Sequence, residues 1–567
     1  MLLAIPAAAV MSSCGVQPTP TPTRTPRTEA AHTTAPSNQP QQSLAPTPTP
    51  SPTPTPDWPL SVFLPDTLPR DALAALESGV YQEPQLFTPA SSADEADIRL
   101  VYGLGNPGWT NAMQWAYAVV APFPTLTDDV DWDDVANGWR GEPGGPLAGL
   151  PLYVDSETGT TLSAWLGPAG AGVTLVPTGE LVDEVWASRP SWAIVPFDRL
   201  EPRLKVLRVD GDSPLQRGLM WDIVDPYPLV IRAHWEGNMG GISEINSRML
   251  GPPITNRDES RMTVVMMTGV TALARGTASA MEREGMTYPA RDIIDWLLEP
   301  DVTHISNEVS FARDCGPPAR SGAMSFCSSM KYFNLLRYVD VDVVELTGNH
   351  LVDWGESAML NTLKMYRDWI IPSFGGGADL ANALQPITLT VGVHTFAFAG
   401  CNCNPFGPQV QWATDDSPGA APCDIGQVGE QLGTQVRQLA DDGYLPIVTM
   451  QHVEEYSYEP TEDQRADFRA LAEYGAVIVS GSQAHQPQAF EFHSGAFIHY
   501  GLGNLFFDQM QSLGTRQEFL DRHIFYDGRH ISTELLTAML EDYARPRPMT
   551  PDERESLLAA VFAASGW

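Results

Sequence analysis

The chain has 567 residues, enough for two or three domains, and 43% of them are apolar, enough for real cores. It carries 69 acidic and 33 basic residues, a formal net charge of −36. That balance argues against nucleic acid as a partner, because binding would add phosphate repulsion instead of releasing counterions. An acidic polymer is also repelled at long range unless a metal or a local basic groove offsets the field.

The chain opens MLLAIPAAAVMSSCG. Leu2 to Met11 is apolar and too short to cross a bilayer as a helix. It has the length of a secretory h-region, without the basic residues that usually precede one. Met11-Ser-Ser-Cys14 resembles a bacterial lipobox, in which Cys14 is diacylated and becomes the new N-terminus. Gln17 to Pro56 is dominated by Thr and Pro, a composition that buries no core and acts as a stiff spacer. The expectation is a signal and lipobox over 1–16 and a linker over 17–56. Together they make an exported lipoprotein, held on the outer face of the cell membrane by its lipid.

Residues 57–251 alternate short strands with helices: SVFLP, RDALAALESG, ADIRLVYG, QWAYAVVAPFPT, DWDDVANGWRG and SWAIVPFDRL. Such alternation predicts an α/β layer structure. WAYAVVAPFPTL, Trp139-Arg140-Gly141 and SWAIVPFDRL resemble type II periplasmic solute-binding domains, which hold small anions between two lobes. That resemblance implies a ligand-capturing domain. The alternative is an accessory domain without a ligand, and no contact residue is named.

Residues 261–509 repeat the alternation. TVVMMTGVTALARG reads as strand, turn and helix start; RDIIDWLLEPDVTHISNEVSF as a helix and a strand ending at Glu308. YFNLLRYVDVDVVELTGNH repeats helix then strand, ESAMLNTLKMYRDW is a helix, and ITLTVGVHTFAFAG is a hairpin. LPIVTMQH, EDQRADFRALAEYG and AVIVSGSQAH read as strand, helix, strand. Polar residues therefore collect at the carboxyl ends of strands, where α/β proteins place their chemistry. Residues 510–567 are expected to form a helical extension, with Thr550 as N-cap and Pro551 at the first helical position.

TGNHLVDWG (347–355), QHVEEY (451–456), GSQAHQPQ (481–488) and HYGLGNLFFDQ (499–509) resemble, in combination and order, the CapA or poly-γ-glutamate synthesis family. The resemblance implies a calcineurin-like, metallophosphatase-type layered α/β sandwich, with one or two metals held at strand ends. The family's opening Gly-Asp is here Gly269-Val270, and a Val ligates nothing. The next family element, a Glu, falls on Glu308, with Ser306 where an Asn is expected. The Asn-His pair falls on Asn349 and His350; a further His falls on His452; the His-x-His element is Gln483 and His485. By that analogy Glu308, Asn349, His452 and Gln483 surround one metal position, and Val270 leaves the other with Glu308 and His485. Carboxylate, amide and imidazole together suit zinc or manganese. His350 would then act as a phosphate contact or general acid, and Arg275 would meet an anionic substrate or lie on a helix surface. Asn504 and Asp508 read as structural.

Export permits disulfides. Cys315 with Cys327 would close one Gly/Pro-rich loop, and Cys401 or Cys403 with Cys423 another, leaving one thiol. A zinc site is the rival reading of Cys401, Cys403 and Cys423, although no CxxC pair is present. Two functions stay open. One is a surface protein that works with a capsule-like polymer or its synthesis complex, acting as a metal-dependent hydrolase or transferase if it turns over. The other is a non-catalytic scaffold with a degenerate metal site.

Overall fold

In the computed structural model the described residues are 57–103, 112–218, 227–249, 251–318, 325–403, 412–423 and 431–567. The expected signal, Cys14 and the Thr/Pro-rich linker lie outside them. No helix among the described residues is long and apolar enough to cross a membrane.

Met262–Thr268 is an apolar and Thr-rich run without alternation, and all seven positions are buried. That is the pattern of an interior strand covered on both faces. It pairs in parallel with Val302–Asn307, which pairs with Val343–Glu345, which pairs with Ser373–Phe374. A second sheet runs in the order Ile387–Val391, His394–Asn402, Leu445–Gln451, Ile478–Ser482, Ala496–His499, Phe490–His493. The two sheets meet over one apolar layer, where Val265, Met267 and Phe374 pack with Phe396, Ile447 and Phe497. Helices Arg275–Glu284, Phe333–Tyr338 and Glu356–Asp368 cover the first sheet through Met281, Leu336 and Met359. Leu432–Asp441 and Glu462–Glu473 cover the second through Val436, Phe468 and Leu471. The result is four layers, helix, sheet, sheet, helix.

Residues 510–567 do not form a helical extension. Gln517–Tyr526 and Arg529–Glu541 are long antiparallel strands, with Arg545–Pro548 beyond them. Gln517–Tyr526 lies directly beside the opening strand Met262–Thr268. The local signal is Asp527-Gly528, which closes a two-residue hairpin loop with φ of +52° and +79°; that loop type requires positive φ twice. Every residue of Gln517–Tyr526 is buried, so polar Asp521 and His523 sit inside, and periodicity alone misleads. Only Pro551–Ala564 is α-helical; Thr550 caps it in a capping box with Glu553, and Pro551 is at its start.

The N-terminal unit is a mixed ten-stranded sheet around Met113–Pro122, which is buried at all ten positions. It is welded to the four-layer unit, because Met262, Ile524, Tyr526 and Ile531 belong to its core. Across the junction Asp128 accepts from Arg554 at 2.7 and 2.9 Å, and within its own unit from Lys205 at 2.6 Å. A cavity of about 210 Å³ opens beside that triad.

Candidate functional site

The loops after four parallel strands converge on one cavity of about 450 Å³. Asn349 and His350 follow Val343–Glu345, Gln483 and His485 follow Ile478–Ser482, and Arg275 follows the opening strand; all five line it. Close backbone approach is built in at Gly348, where a Cβ would lie 2.5 Å from the Glu308 Cα. Four of the lining residues, Arg275, Gln483, His485 and Tyr543, hold positive φ, at +45°, +82°, +54° and +63°. Non-glycine residues hold that conformation only where their surroundings over-determine it, as at binding sites.

Glu308 follows Val302–Asn307 and is 1% exposed, and neither carboxylate oxygen has a hydrogen-bond partner. Its Oε1 lies 4.0 Å from His485 Nε2. The other ring nitrogen of His485, Nδ1, lies 2.9 Å from Asn504 Oδ1, and Asn504 donates to the carbonyls of His485 and Thr515. Asn504 thus orients a site histidine as well as backbone. His350 Nδ1 lies 2.6 Å from Asp353 Oδ2, and its ring stacks on Phe326 with centroids 3.9 Å apart. Burial disfavours its charged form. The bond to Asp353 and the charges of Glu308 and Asp353 outweigh burial and hold its pKa above the ordinary histidine value.

An amide chain backs the pocket. Asn402 donates to Gln451 Oε1 at 2.6 Å, and Gln451 donates to Asn349 Oδ1 at 3.4 Å and to Gln483 Oε1. Sequence reasoning missed Gln451, Asp353 and Phe326, none of which stands in a metal-ligand position; the spacing His350-x-x-Asp353 is the one signal that could have found a pair.

Arg275 is not a free cation on the pocket wall. Its guanidinium pairs with Asp508, whose other oxygen accepts from Gly276 N–H at 2.8 Å, and it lies 4.4 Å from the Phe326 ring centroid and 5.1 Å from that of Phe507. His452 is not among the lining residues: its Nε2 lies 2.9 Å from Asp467 Oδ2, while Nδ1 is buried without a partner. Val270 is fully buried in an apolar cluster with Ala272, Val309, Phe326 and Phe507. Among the described residues, the one group of three His, Cys, Asp or Glu with ligand atoms within 4.8 Å of one another is Cys401, Cys403 and Cys423. A two-metal centre does not fit this arrangement. A single cation fits better, since both oxygens of Glu308 are buried without a partner and its Oε1 lies 4.0 Å from His485 Nε2.

Cys315 and Cys327 form a disulfide; Cys423 lies within bonding reach of both Cys401 and Cys403.

A four-layer sandwich with histidine, amide and carboxylate groups at the strand ends of both sheets defines a metallophosphatase-type α/β fold. Residues 264–509 match the family described as bacterial capsule synthesis protein PGA_cap. It is 21% identical over 303 residues to the capsule biosynthesis protein CapA of Bacillus anthracis, covering 53% of this chain and 72% of that protein. It is 27% identical over 179 residues to the PGA biosynthesis protein CapA of Bacillus subtilis, covering 31% of this chain and 45% of that protein. The chain thus spans about half the length of the second relative. An ABC-type phosphate transport receptor from Vibrio cholerae aligns with 34% of this chain and 93% of its own, at 9% identity and a TM-score of 0.28.

Proposed function

We propose that the protein takes part in the synthesis, export or retention of poly-γ-glutamate or another capsule-like polymer. In this reading it works beside a synthesis complex on the outer face of the membrane, tethered by lipid at Cys14 and spaced by the Thr/Pro-rich linker. The family match over 264–509 and the names of the two relatives support the polymer class.

The observation that carries the biochemical reading is Glu308, a buried carboxylate with both oxygens unpaired beside His485 and within the field of His350. A buried unpaired charge is costly by several kcal/mol unless a cation joins it. Glu308 and His485, with the amide oxygen of Asn349 or Gln483, would hold one divalent ion, zinc or manganese. Such an ion supplies positive charge to an anionic group and acidifies a water. It would also offset the repulsion between a chain of net charge −36 and an acidic polymer. His350, whose charged form Asp353 favours, would donate to an oxygen of the bound group and act as general acid where a bond is cleaved. Arg275 and Asp508 shape the wall as a neutral pair.

Elemental mass spectrometry on the full chain tests this. The expected result is zinc or manganese near one per chain, lost in Glu308→Gln and in His485→Ala and kept in His452→Ala, whose ring is engaged by Asp467. No metal after reconstitution in any form would overturn it. The scaffold reading, which Val270 in its apolar cluster favours, would then stand.

A further inference from the structure

Cys401 and Cys403 stand two residues apart at the end of strand His394–Asn402. The pleat sends both thiols to one face and Asn402, between them, to the other. Cys423 comes back along the thiol face: Asn402 N–H donates to Ala421 O at 2.8 Å, and Cys423 N–H donates to Asn402 O at 2.9 Å. This backbone clamp sets the Cys423 Cα 5.1 Å from that of Cys401 and 4.7 Å from that of Cys403. Both separations fall in the span of about 4.4–6.8 Å that a disulfide needs. The Cys401 and Cys403 sulfurs are 3.9 Å apart, and all three residues are buried. One sulfur bonds one partner, so a resident thiol always sits beside the bond.

We propose that Cys423 exchanges between Cys401 and Cys403 by internal thiol–disulfide exchange. Starting from the Cys401–Cys423 bond, the Cys403 thiolate attacks Cys423 Sγ. The Cys403–Cys423 bond forms, the Cys401–Cys423 bond breaks, and the electron pair leaves on Cys401. Cys401 takes up the proton that Cys403 gave up, so nothing is oxidised or reduced overall. Burial keeps external thiols from the bond, whereas the third cysteine is permanently in reach. The exchange happens behind the pocket, because Asn402, flanked by the two exchanging cysteines, donates to Thr347 O at 2.7 Å and to Gln451, which holds Asn349 and Gln483.

The test is position-resolved peptide mapping of the full, unreduced chain, with thiols blocked at mildly acidic pH before and after incubation at alkaline pH. Expected are both linkages to Cys423, each with the complementary cysteine blocked as a thiol, at a ratio that relaxes to one value on incubation. In Cys401→Ser and in Cys403→Ser, the remaining cysteine should bond Cys423 completely and the blocked thiol should be lost. A single linkage that persists through alkaline incubation, with Cys423 left as a thiol when its one partner is replaced, overturns the proposal. Three blocked thiols with about one zinc per chain in native mass spectra also overturn it, in favour of a thiolate metal site.

Discussion

His350 Nδ1 lies 2.6 Å from the carboxylate of Asp353, three residues further along the same loop. A histidine whose pKa is raised on folding binds more protons in the folded chain than in the unfolded one. The stabilisation is therefore complete below the unfolded value of about 6.5 and is lost as pH rises through the folded value. Asp353→Asn should lower the His350 pKa and remove that loss above about pH 6.5. Side-chain NMR titration of the two proteins reads the shift, and an unchanged His350 would mean that Asp353 does not set its charge.

Val270→Asp places a carboxylate in the cluster of Ala272, Val309, Phe326 and Phe507. Without metal, an unpaired buried acid should cost about 2–4 kcal/mol. Val270 pairs with Ser306, two residues before Glu308, so the new carboxylate would also offer a further ligand, and added zinc or manganese should raise the melting temperature of the variant more than that of the parent. Equal responses would show that this corner cannot be returned to metal binding.

Two buried groups on strand Gln517–Tyr526 set opposite pH dependences. Burial holds Glu518 well above the ordinary carboxyl range, and neither of its oxygens has a partner. Folded Glu518 keeps its proton where the unfolded chain has lost it, so its contribution falls by about 1.4 kcal/mol per pH unit above about pH 4.5. Glu518→Gln should stabilise the protein at neutral pH and abolish that fall. Denaturant melts from pH 5 to pH 8 compare the slopes.

His523 and His530 work the other way. Burial, with His530 and His499 adding to it, pushes His523 well below the usual value, and burial takes His530 down to about 3. His523 shares its inter-sheet face with Asp521, which pairs with His499 at 2.6 Å, and bonds Thr533 at 2.9 Å. The unfolded chain binds protons that the folded one refuses, so stability is lost as pH falls below about 6.5, by about 1.4 kcal/mol per unit for each ring. Acid melts of His530→Gln should show a shallower loss than the parent. A parallel curve would place the acid sensitivity elsewhere.

A chain ending at Gln509 keeps every family motif but loses Gln517–Tyr526, the strand beside the opening strand. It should fail to give a cooperative melt or dispersed amide resonances, whereas a chain ending at Pro548 keeps the sheet and loses only the capped helix Pro551–Ala564. A folded chain ending at Gln509 would show that the sheet closes without its antiparallel half.

The sequence by itself determined the layered α/β class, the strands that end near Glu308, Asn349, His452 and Gln483, and a side chain without donor atoms at Val270. Each is a local property: an apolar run of strand length, a polar residue at its carboxyl end, a side chain without donor atoms. The tertiary structure decided what those residues do. His452 and Arg275 were chosen by position in a motif, but their direction depends on partners far along the chain, Asp467 for one and Asp508 for the other. The last strands escaped notice because a strand buried on both faces has no alternation to read, and the Asp527-Gly528 turn was the only local mark left. Which of Cys401 and Cys403 meets Cys423 was beyond the sequence for another reason: the pleat gives both thiols the same face, and the backbone clamp at Asn402 holds Cys423 in reach of each.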